Sequence, residues 1–219
     1  MEAGTRRETG MAAWIYYPPR ECPYGNTLPL HGIHMIRVVD IAEPPDVTVA
    51  ADEYICLTLT WPADPVRMPV YWRPGDHKRS LIEVGIHPET GIPVSISIVL
   101  PGSDVEVQEG QAPLPVRLVE FGHPVFDLTP WGRDWLFTET IPFRIVVYAG
   151  SATVWFTPAE EAVSDLVAGR VRFHLSAGRE FIGFSVHDLP ETEIARLKET
   201  LAWLMATAGM TLQPGEFPE

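Results

Sequence analysis

The segment that most constrains the fold is 81–100, where apolar side chains recur at every second position on both sides of a short turn. The sequence LIEVGIH is followed by PETG and then by IPVSISIVL. In the second arm the apolar residues alternate with Ser95 and Ser97, a period typical of half-buried strands. Pro88 suits the first central position of a turn, and Gly91 can take a positive φ. The segment therefore predicts a β-hairpin.

Similar patterns predict strands along most of the chain. The 22 prolines and 17 glycines among 219 residues favour short strands and many turns over long helices. We expect a second hairpin that turns at Gly178. The segments 101–115 and 122–140 are rich in turn residues and are predicted as long loops. The predicted strands are Ile36–Ile41, Tyr54–Trp61, Val70–Trp72, Val116–Phe121, Ile141–Tyr148, Thr153–Phe156, Val171–Leu175 and Phe181–Val186.

The end of the chain predicts an amphipathic helix at about 189–208. Asp188 and Glu191 have the spacing of a reciprocal capping box, and Gly209 can end the helix. Because the apolar stripe must be buried, we expect the helix to pack on the chain's own sheet. A shorter helix over 158–168 is also predicted, with a long loop as its alternative. The apolar stripe comprises Ile194, Leu197, Leu201, Leu204, Met205 and Ala208.

Together these patterns predict an α+β, mainly β fold, with antiparallel sheets built from hairpins and the C-terminal helix packed on a sheet. We interpret 1–13 as a disordered leader and 14–219 as a single domain, with two lobes as the alternative. The leader is polar and lacks the apolar region of a secretory signal. No apolar run is long enough to span a bilayer. We therefore expect a cytoplasmic protein with no membrane contact.

The sequence predicts no catalytic residue, cofactor or metal. It contains no phosphate-binding loop, dinucleotide fingerprint or zinc-protease motif. Cys22 and Cys56 are the only cysteines, and whether they pair is open. Ser185 and His187 would share one face of a strand, but no third member of a hydrolase triad is defined. A non-enzymatic function is therefore favoured.

The charge of the chain points to a basic partner. The formal net charge is −13, from 29 acidic and 16 basic residues. Such a field repels phosphate backbones, which argues against nucleic-acid binding. Within the predicted loop 101–115, Asp104, Glu106 and Glu109 form a candidate acidic patch, and the first two would share one face if the loop were extended.

A second candidate partner surface is the sequence WGRDW. Trp131, Arg133, Asp134 and Trp135 place two indoles, a guanidinium and a carboxylate within five residues. Tryptophan and arginine are enriched at binding hot spots. The alternative is that both indoles anchor a long loop to the core.

Two stretches resemble a known type of protein. The order EVGIHPETGIPVSISIV in 81–100, and VRFHL followed by FIGFSVHDLPETEIARL in 171–201, are similar to segments of small bacterial proteins. Many of those proteins are assigned as immunity proteins of polymorphic toxin systems. The resemblance implies a non-enzymatic protein that binds and neutralises a cognate basic toxin domain. It transfers no functional residue to this chain.

Three functional hypotheses follow. The first is a cytoplasmic binding protein of the toxin-neutralising kind. The second is a structural or assembly component that forms oligomers through an exposed strand edge or the C-terminal helix. The third is a small-ligand binder or hydrolase with a pocket near 122–140. The sequence leaves the oligomeric state open.

Overall fold

The computed structural model describes residues 35–52, 54–62, 68–113, 116–132, 134–209 and 213–214. The predicted leader, Cys22 and Arg133 lie outside these residues, whereas Cys56 is a buried free thiol. The described strands are β1 (Val38–Ala42), β2 (Thr48–Ala50), β3 (Leu57–Thr60), β4 (Val70–Pro74), β5 (Ser80–Ile86), β6 (Pro93–Pro101), β7 (Val105–Val107), β8 (Leu118–Phe121), β9 (His123–Phe126), β10 (Leu136–Glu139), β11 (Arg144–Val147), β12 (Ala152–Trp155), β13 (Ser164–Ala168), β14 (Val171–Leu175), β15 (Phe181–Val186) and β16 (Gln213–Pro214).

These strands form three sheets. A two-stranded ribbon pairs β1 with β9, and a six-stranded sheet has the order β10-β4-β5-β6-β3-β2. An eight-stranded sheet has the order β16-β7-β11-β12-β15-β14-β13-β8. Most neighbours are antiparallel, but β10 joins β4, β7 joins β11 and β16, and β8 joins β13 in parallel. The prediction of a mainly β fold with a C-terminal helix is confirmed, and the sheets are mixed at their edges.

The hairpin of β5 and β6 matches its prediction. The main-chain N–H of Gly91 donates to the carbonyl of His87 at 2.9 Å, and the N–H of His87 donates to Ile92 at 2.8 Å. Gly91 has φ +71°, and a Cβ there would lie 2.5 Å from the carbonyl oxygen of Phe126. Both the backbone conformation and the close approach of β9 therefore require glycine at this position.

The predicted loops at 101–115 and 122–140 are wrong in part. The first contributes β7, in which Val105 and Glu106 are buried, and the second contributes β9 and β10. A single turn of 3-10 helix, Thr129–Trp131, separates the latter two strands. Strands of three or four residues are too short to show a clear alternation in the sequence. Pairing with distant neighbours gives them their conformation.

The predicted helix over 158–168 is wrong, and so is the predicted continuous loop. One turn of 3-10 helix, Ala159–Glu161, leads into β13. Leu166 and Ala168 are both fully buried, with the spacing of two that a strand requires. Antiparallel pairing of β13 with β14 stabilises the extended conformation of this segment over the helix that the turn chemistry suggested.

The C-terminal helix α1 spans Glu191–Thr207 and confirms the predicted element. Its stripe is buried as expected, except that Leu204 is half-buried and Ala208 is exposed. The predicted capping box is wrong, because Pro190 is the N-cap and no side chain caps the helix. Gly209, with φ +72°, follows its end. Among the described residues, no helix combines the length and apolar character that crossing a bilayer requires.

An aromatic cluster centred on Phe181 joins the three sheets. Its ring centroid lies 6.0 Å from Trp72 of β4 and 5.4 Å from Phe126 of β9. The rings of Phe156 and Phe173, on the side of the eight-stranded sheet, lie 5.6 and 5.7 Å away. Phe181 itself is fully buried. The core therefore lies where the inner faces of the two large sheets and the ribbon meet.

The second hairpin, β14 and β15, is confirmed, but its turn differs from the prediction. Arg179 has φ +58°, and its N–H donates to the carbonyl of Ser176 at 2.9 Å. This arrangement is a type I turn followed by a left-handed residue, a position that favours glycine. The residue that needs conformational freedom is therefore Arg179, whereas Gly178 only belongs to the turn.

We expect the substitution Arg179→Gly to raise the free energy of unfolding by about 0.5–1 kcal/mol, because it removes the steric cost of a left-handed non-glycine residue. The change loses a partly exposed ion pair with Glu120, which contributes little. Urea denaturation measures the difference. The matched control, Gly178→Ala, should change stability by less than about 0.5 kcal/mol, and a destabilised Arg179→Gly would contradict this account of the turn.

Candidate functional site

The two tryptophans of the WGRDW segment lie in different environments. Trp131 is buried and stacks on Phe137, with ring centroids 5.1 Å apart and planes 11° apart. Trp135 is 55% exposed, and Asp134 is exposed beside it. The alternative interpretation, in which both indoles anchor the segment to the core, therefore holds for Trp131 but not for Trp135, which faces solvent. The role of this segment as a partner surface stays a prediction.

The three acidic residues of the candidate patch also differ in environment. Asp104 and Glu106 both form ion pairs with Arg144, so they do share one face of the extended segment. Glu106 is buried; burial raises the pKa of its carboxyl, but hydrogen bonds from Gln108 and Arg144 outweigh this and leave the pKa below its usual value. Glu109 is exposed. The proposed role in binding a basic partner stays a prediction.

A cluster of polar side chains lies on the outer face of the eight-stranded sheet. Side chains alternate between the faces of a strand, and Phe173 and Phe184 point into the core. Arg172 and His174 of β14, together with Ser185 of β15, therefore point to the opposite face. The same alternation places polar residues on the outer face of the neighbouring strands.

The strand register brings these side chains together in two adjacent rows. In the first row, Trp155 lies opposite Gly183, which lies opposite His174, which lies opposite Asp165. Residues directly opposite each other on antiparallel strands have Cβ atoms about 5 Å apart. The first row therefore places an acid and an imidazole next to each other, beneath a large indole.

The second row consists of Thr153, Ser185 and Arg172, on β12, β15 and β14 respectively. Because Ser185 and His174 are diagonal neighbours across β15 and β14, the two rows form one continuous polar surface. His187 follows β15 on the same face as Ser185, two residues further along.

Gly183 allows the indole of Trp155 to cover the site. A Cβ at Gly183 would lie 2.5 Å from the carbonyl oxygen of Val154 and 2.9 Å from the Cε3 atom of Trp155. With no side chain there, the indole crosses the strand and stacks on the His174 ring, with centroids 4.3 Å apart and planes 22° apart. A side chain at Gly183 would therefore clash both with the neighbouring strand and with the indole that covers the site.

Asp165 and His174 form a buried hydrogen-bonded pair, with Asp165 Oδ1 and His174 Nδ1 2.7 Å apart. Burial raises the pKa of Asp165, but the bond to His174 and the nearby charge of Arg117 outweigh it, so the pKa lies below its ordinary value. Burial lowers the pKa of His174, and Asp165 offsets part of this effect. At neutral pH the carboxylate is charged and the imidazole neutral, so Nδ1 carries the proton and donates to Oδ1.

The Nε2 atom of His174 is therefore left with a lone pair. His174 is only 4% exposed, and this nitrogen has no hydrogen-bond partner among the described residues. An unpaired buried polar atom costs about 1–3 kcal/mol. Such an atom is uncommon in a folded protein and needs a physical explanation.

Ser185 and His187 form a second hydrogen-bonded pair in the cluster. Ser185 Oγ lies 2.8 Å from His187 Nε2, and Ser185 is 2% exposed. Burial lowers the pKa of His187, and the charge of Arg172 lowers it further. The neutral imidazole can accept the proton of the serine hydroxyl.

Two guanidinium groups border the same space. Arg117 donates to the carbonyl of Ala159 at 2.8 Å, lies 3.5 Å from Asp165 Oδ1 and sits over the Trp155 ring. Arg172 lies 3.9 Å from Asp165 Oδ2, its only ion pair among the described residues. Two positive charges and one carboxylate leave a net charge of +1 in a protein whose overall charge is −13.

These side chains line a partly open cavity of about 140 Å³, which we call the His174 cavity. This volume accommodates about four or five waters or one small organic acid. A wider groove of about 750 Å³ shares Tyr148, Trp155 and Ala159 with it. The cavity is lined by Ala112, Pro113, Arg117, Tyr148, Thr153, Trp155, Ala159, Asp165, Arg172, His174, Ser185 and His187.

The chain matches no protein-family model, and no curated protein is significantly similar to it. The resemblance to immunity proteins therefore stays a prediction. Within the described part of the chain, no group of three or more His, Cys, Asp or Glu residues is arranged to hold a metal ion.

From the sequence, Ser185 and His187 were predicted to share one face, whereas the other residues of the cluster were not predicted. The available signal was in β14, where VRFHL places Arg172 and His174 at alternate positions between fully buried apolar residues. Polar residues with that spacing mark a second, polar face on a strand whose other face lies in the core. Asp165 showed no such alternation because its segment was predicted to be a helix.

Proposed function

We propose that this protein binds a small carboxylate in the His174 cavity. The observation that carries the proposal is the buried Nε2 of His174, which has no hydrogen-bond partner among the described residues and belongs to a side chain that lines a cavity bordered by Arg117 and Arg172. Ligand pockets typically combine apolar walls with a few convergent polar groups. Here Trp155 and Pro113 supply apolar walls.

The charges of the cavity favour a monoanion. With both imidazoles neutral, the two guanidinium groups and the ionised Asp165 sum to a net charge of +1. A ligand with a single negative charge balances it. Arginine also matches the planar geometry of a carboxylate. A dianion such as sulfate would leave an excess negative charge in a partly desolvated site, which is unfavourable.

The neutral state of His174, with its proton on Nδ1, sets a second requirement for the ligand. Because Nε2 is an acceptor, the best ligand places a hydroxyl donor beside its carboxylate. A two- or three-carbon hydroxycarboxylate such as glycolate or lactate meets this requirement and fits the volume of the cavity. We therefore expect hydroxycarboxylates to bind more tightly than acetate, which lacks the donor.

Isothermal titration calorimetry with glycolate, lactate, acetate, phosphate and sulfate tests the proposal. We expect glycolate or lactate to bind most tightly, and Arg172→Gln to weaken that binding at least tenfold. A hydrogen bond to a charged group contributes about 1.5–3 kcal/mol, and tenfold in affinity corresponds to 1.4 kcal/mol.

The matched control is Arg196→Gln, which removes a guanidinium group from α1, where Arg196 contacts the carbonyl of Ala51. This change leaves the cavity intact and should leave the affinity for glycolate unchanged. If none of the five anions bound at millimolar concentration, or if the Arg172 variant bound as well as the wild type, the proposal would be wrong.

A further inference from the structure

We infer that Ser185 is an acyl-accepting nucleophile and that the His174 cavity hydrolyses esters of small carboxylic acids. This inference rests on the proposed function, because the carboxylate that the cavity binds would be the product of the reaction. The serine is one of the two partners of the 2.8 Å Ser185–His187 pair, and both residues line the cavity.

The pair has the two parts that nucleophilic catalysis by serine needs first. The Oγ atom lies within hydrogen-bond distance of an imidazole nitrogen, so His187 Nε2 can take the hydroxyl proton as Oγ attacks. Burial and the charge of Arg172 lower the pKa of His187, and Asp188 and Asp165 offset part of this effect. No described carboxylate is hydrogen-bonded to His187, so the arrangement is a serine–histidine dyad.

The reaction balances without a cofactor. Ser185 Oγ attacks the ester carbonyl carbon and its proton passes to His187 Nε2, which gives a tetrahedral oxyanion. The carbon–oxygen bond to the leaving alcohol then breaks, and His187 returns the proton to that alcohol. Water, deprotonated by His187, next attacks the acyl-serine. The bond from the acyl carbon to Ser185 Oγ then breaks and His187 returns the proton to Oγ, so the products are the free serine and a carboxylic acid.

Arg172 is placed to stabilise the oxyanion. It lies directly opposite Ser185 on the neighbouring strand, so its side chain starts about 5 Å from that of the nucleophile. A fixed positive charge beside a developing oxyanion accelerates acyl transfer. The size of the cavity restricts the acyl group to a few carbons. The wider groove shares Tyr148 and Trp155 with the cavity, and we assign the leaving alcohol to that side.

The test is the reaction of the full chain with p-nitrophenyl acetate, followed by rapid-mixing absorbance and intact mass. We expect a burst of about one p-nitrophenol per molecule and one added acetyl group, located on Ser185 by peptide mapping. Ser185→Ala should lose both signals, and His187→Gln should slow the burst by about 10²–10⁴-fold. The burst rate of the wild type should fall as the pH drops below 6.5, because the pKa of His187 lies below that ordinary value and the imidazole becomes protonated there.

The matched control is Ser151→Ala, because Ser151 is also a buried serine, but its Oγ has no partner among the described residues. This variant should retain the full burst. Acetylation at another residue, or an unchanged burst in Ser185→Ala, overturns the inference. Glycolate binding without acetylation overturns the nucleophile alone, whereas loss of both overturns the proposed function as well.

Discussion

Replacing Phe181 with alanine will lower the free energy of unfolding by about 3–5 kcal/mol, the usual cost of truncating a fully buried aromatic side chain. Its ring contacts five other aromatic rings among the described residues, including Trp72 of the six-stranded sheet and Phe126 of the ribbon. The substitution would therefore leave a void at the place where three sheets meet, and no single element can move to fill it. Urea denaturation followed by tryptophan fluorescence measures the change.

The matched control is Phe121→Ala, because Phe121 lies on the edge strand β8 and is 79% exposed. It should cost less than about 1 kcal/mol, within the range of strand propensity. Phe181→Leu, which keeps most of the volume, should fall between the two. Equal losses for Phe181→Ala and Phe121→Ala would show that the cluster does not join the sheets.

Lowering the pH from 7 to 4 will destabilise the wild type through His123, and His123→Leu will remove that part of the loss. His123 is fully buried between Trp61 and Phe173, and neither ring nitrogen has a hydrogen bond of normal geometry among the described residues. Burial lowers its pKa from 6.5 to about 4. The fold therefore holds the neutral form.

The sign of the effect follows from this depressed pKa. Well above pH 6.5 His123 is neutral in both the folded and the unfolded chain. Its contribution to the free energy of unfolding is then at its full value. Between pH 6.5 and 4 the unfolded chain binds a proton that the folded chain does not, so stability falls by about 3 kcal/mol in total.

The measurement is the free energy of unfolding of the two proteins at pH 7 and at pH 4. The difference between the variant and the wild type should grow in favour of His123→Leu as the pH falls. Other buried histidines titrate in both proteins and cancel in this comparison. Parallel pH curves would rule out a buried, neutral His123.

Local patterns predicted the elements whose partners are close in sequence. The hairpins at 81–100 and 171–186 have alternating arms and a turn between them, so the sequence alone defines each pair. The helix α1 has a stripe of apolar residues at helical spacing. By contrast, β7, β9 and β10 have three or four residues each and pair with strands far away in the chain.

The candidate site was harder to predict than the fold, because register and not proximity in sequence brings it together. Asp165 and His174 meet only when β13 is a strand, and the turn before it suggested a helix. Arg117 comes from the connection preceding β8, 48 residues from the carboxylate that it contacts. Only Ser185 and His187, which are two residues apart in the sequence, could be recognised as a pair.

The distribution of the segment 101–140 among all three sheets has a consequence for synthesis. On the ribosome, the six-stranded sheet lacks β10 until residue 139 has emerged, and the aromatic partners of Trp72 among the described residues, Phe156 and Phe181, follow later still. Pairings between strands so distant along the chain form slowly, on the order of milliseconds to seconds. The nascent chain therefore exposes its apolar faces through most of translation, and folding is completed only after the last strands have left the exit tunnel.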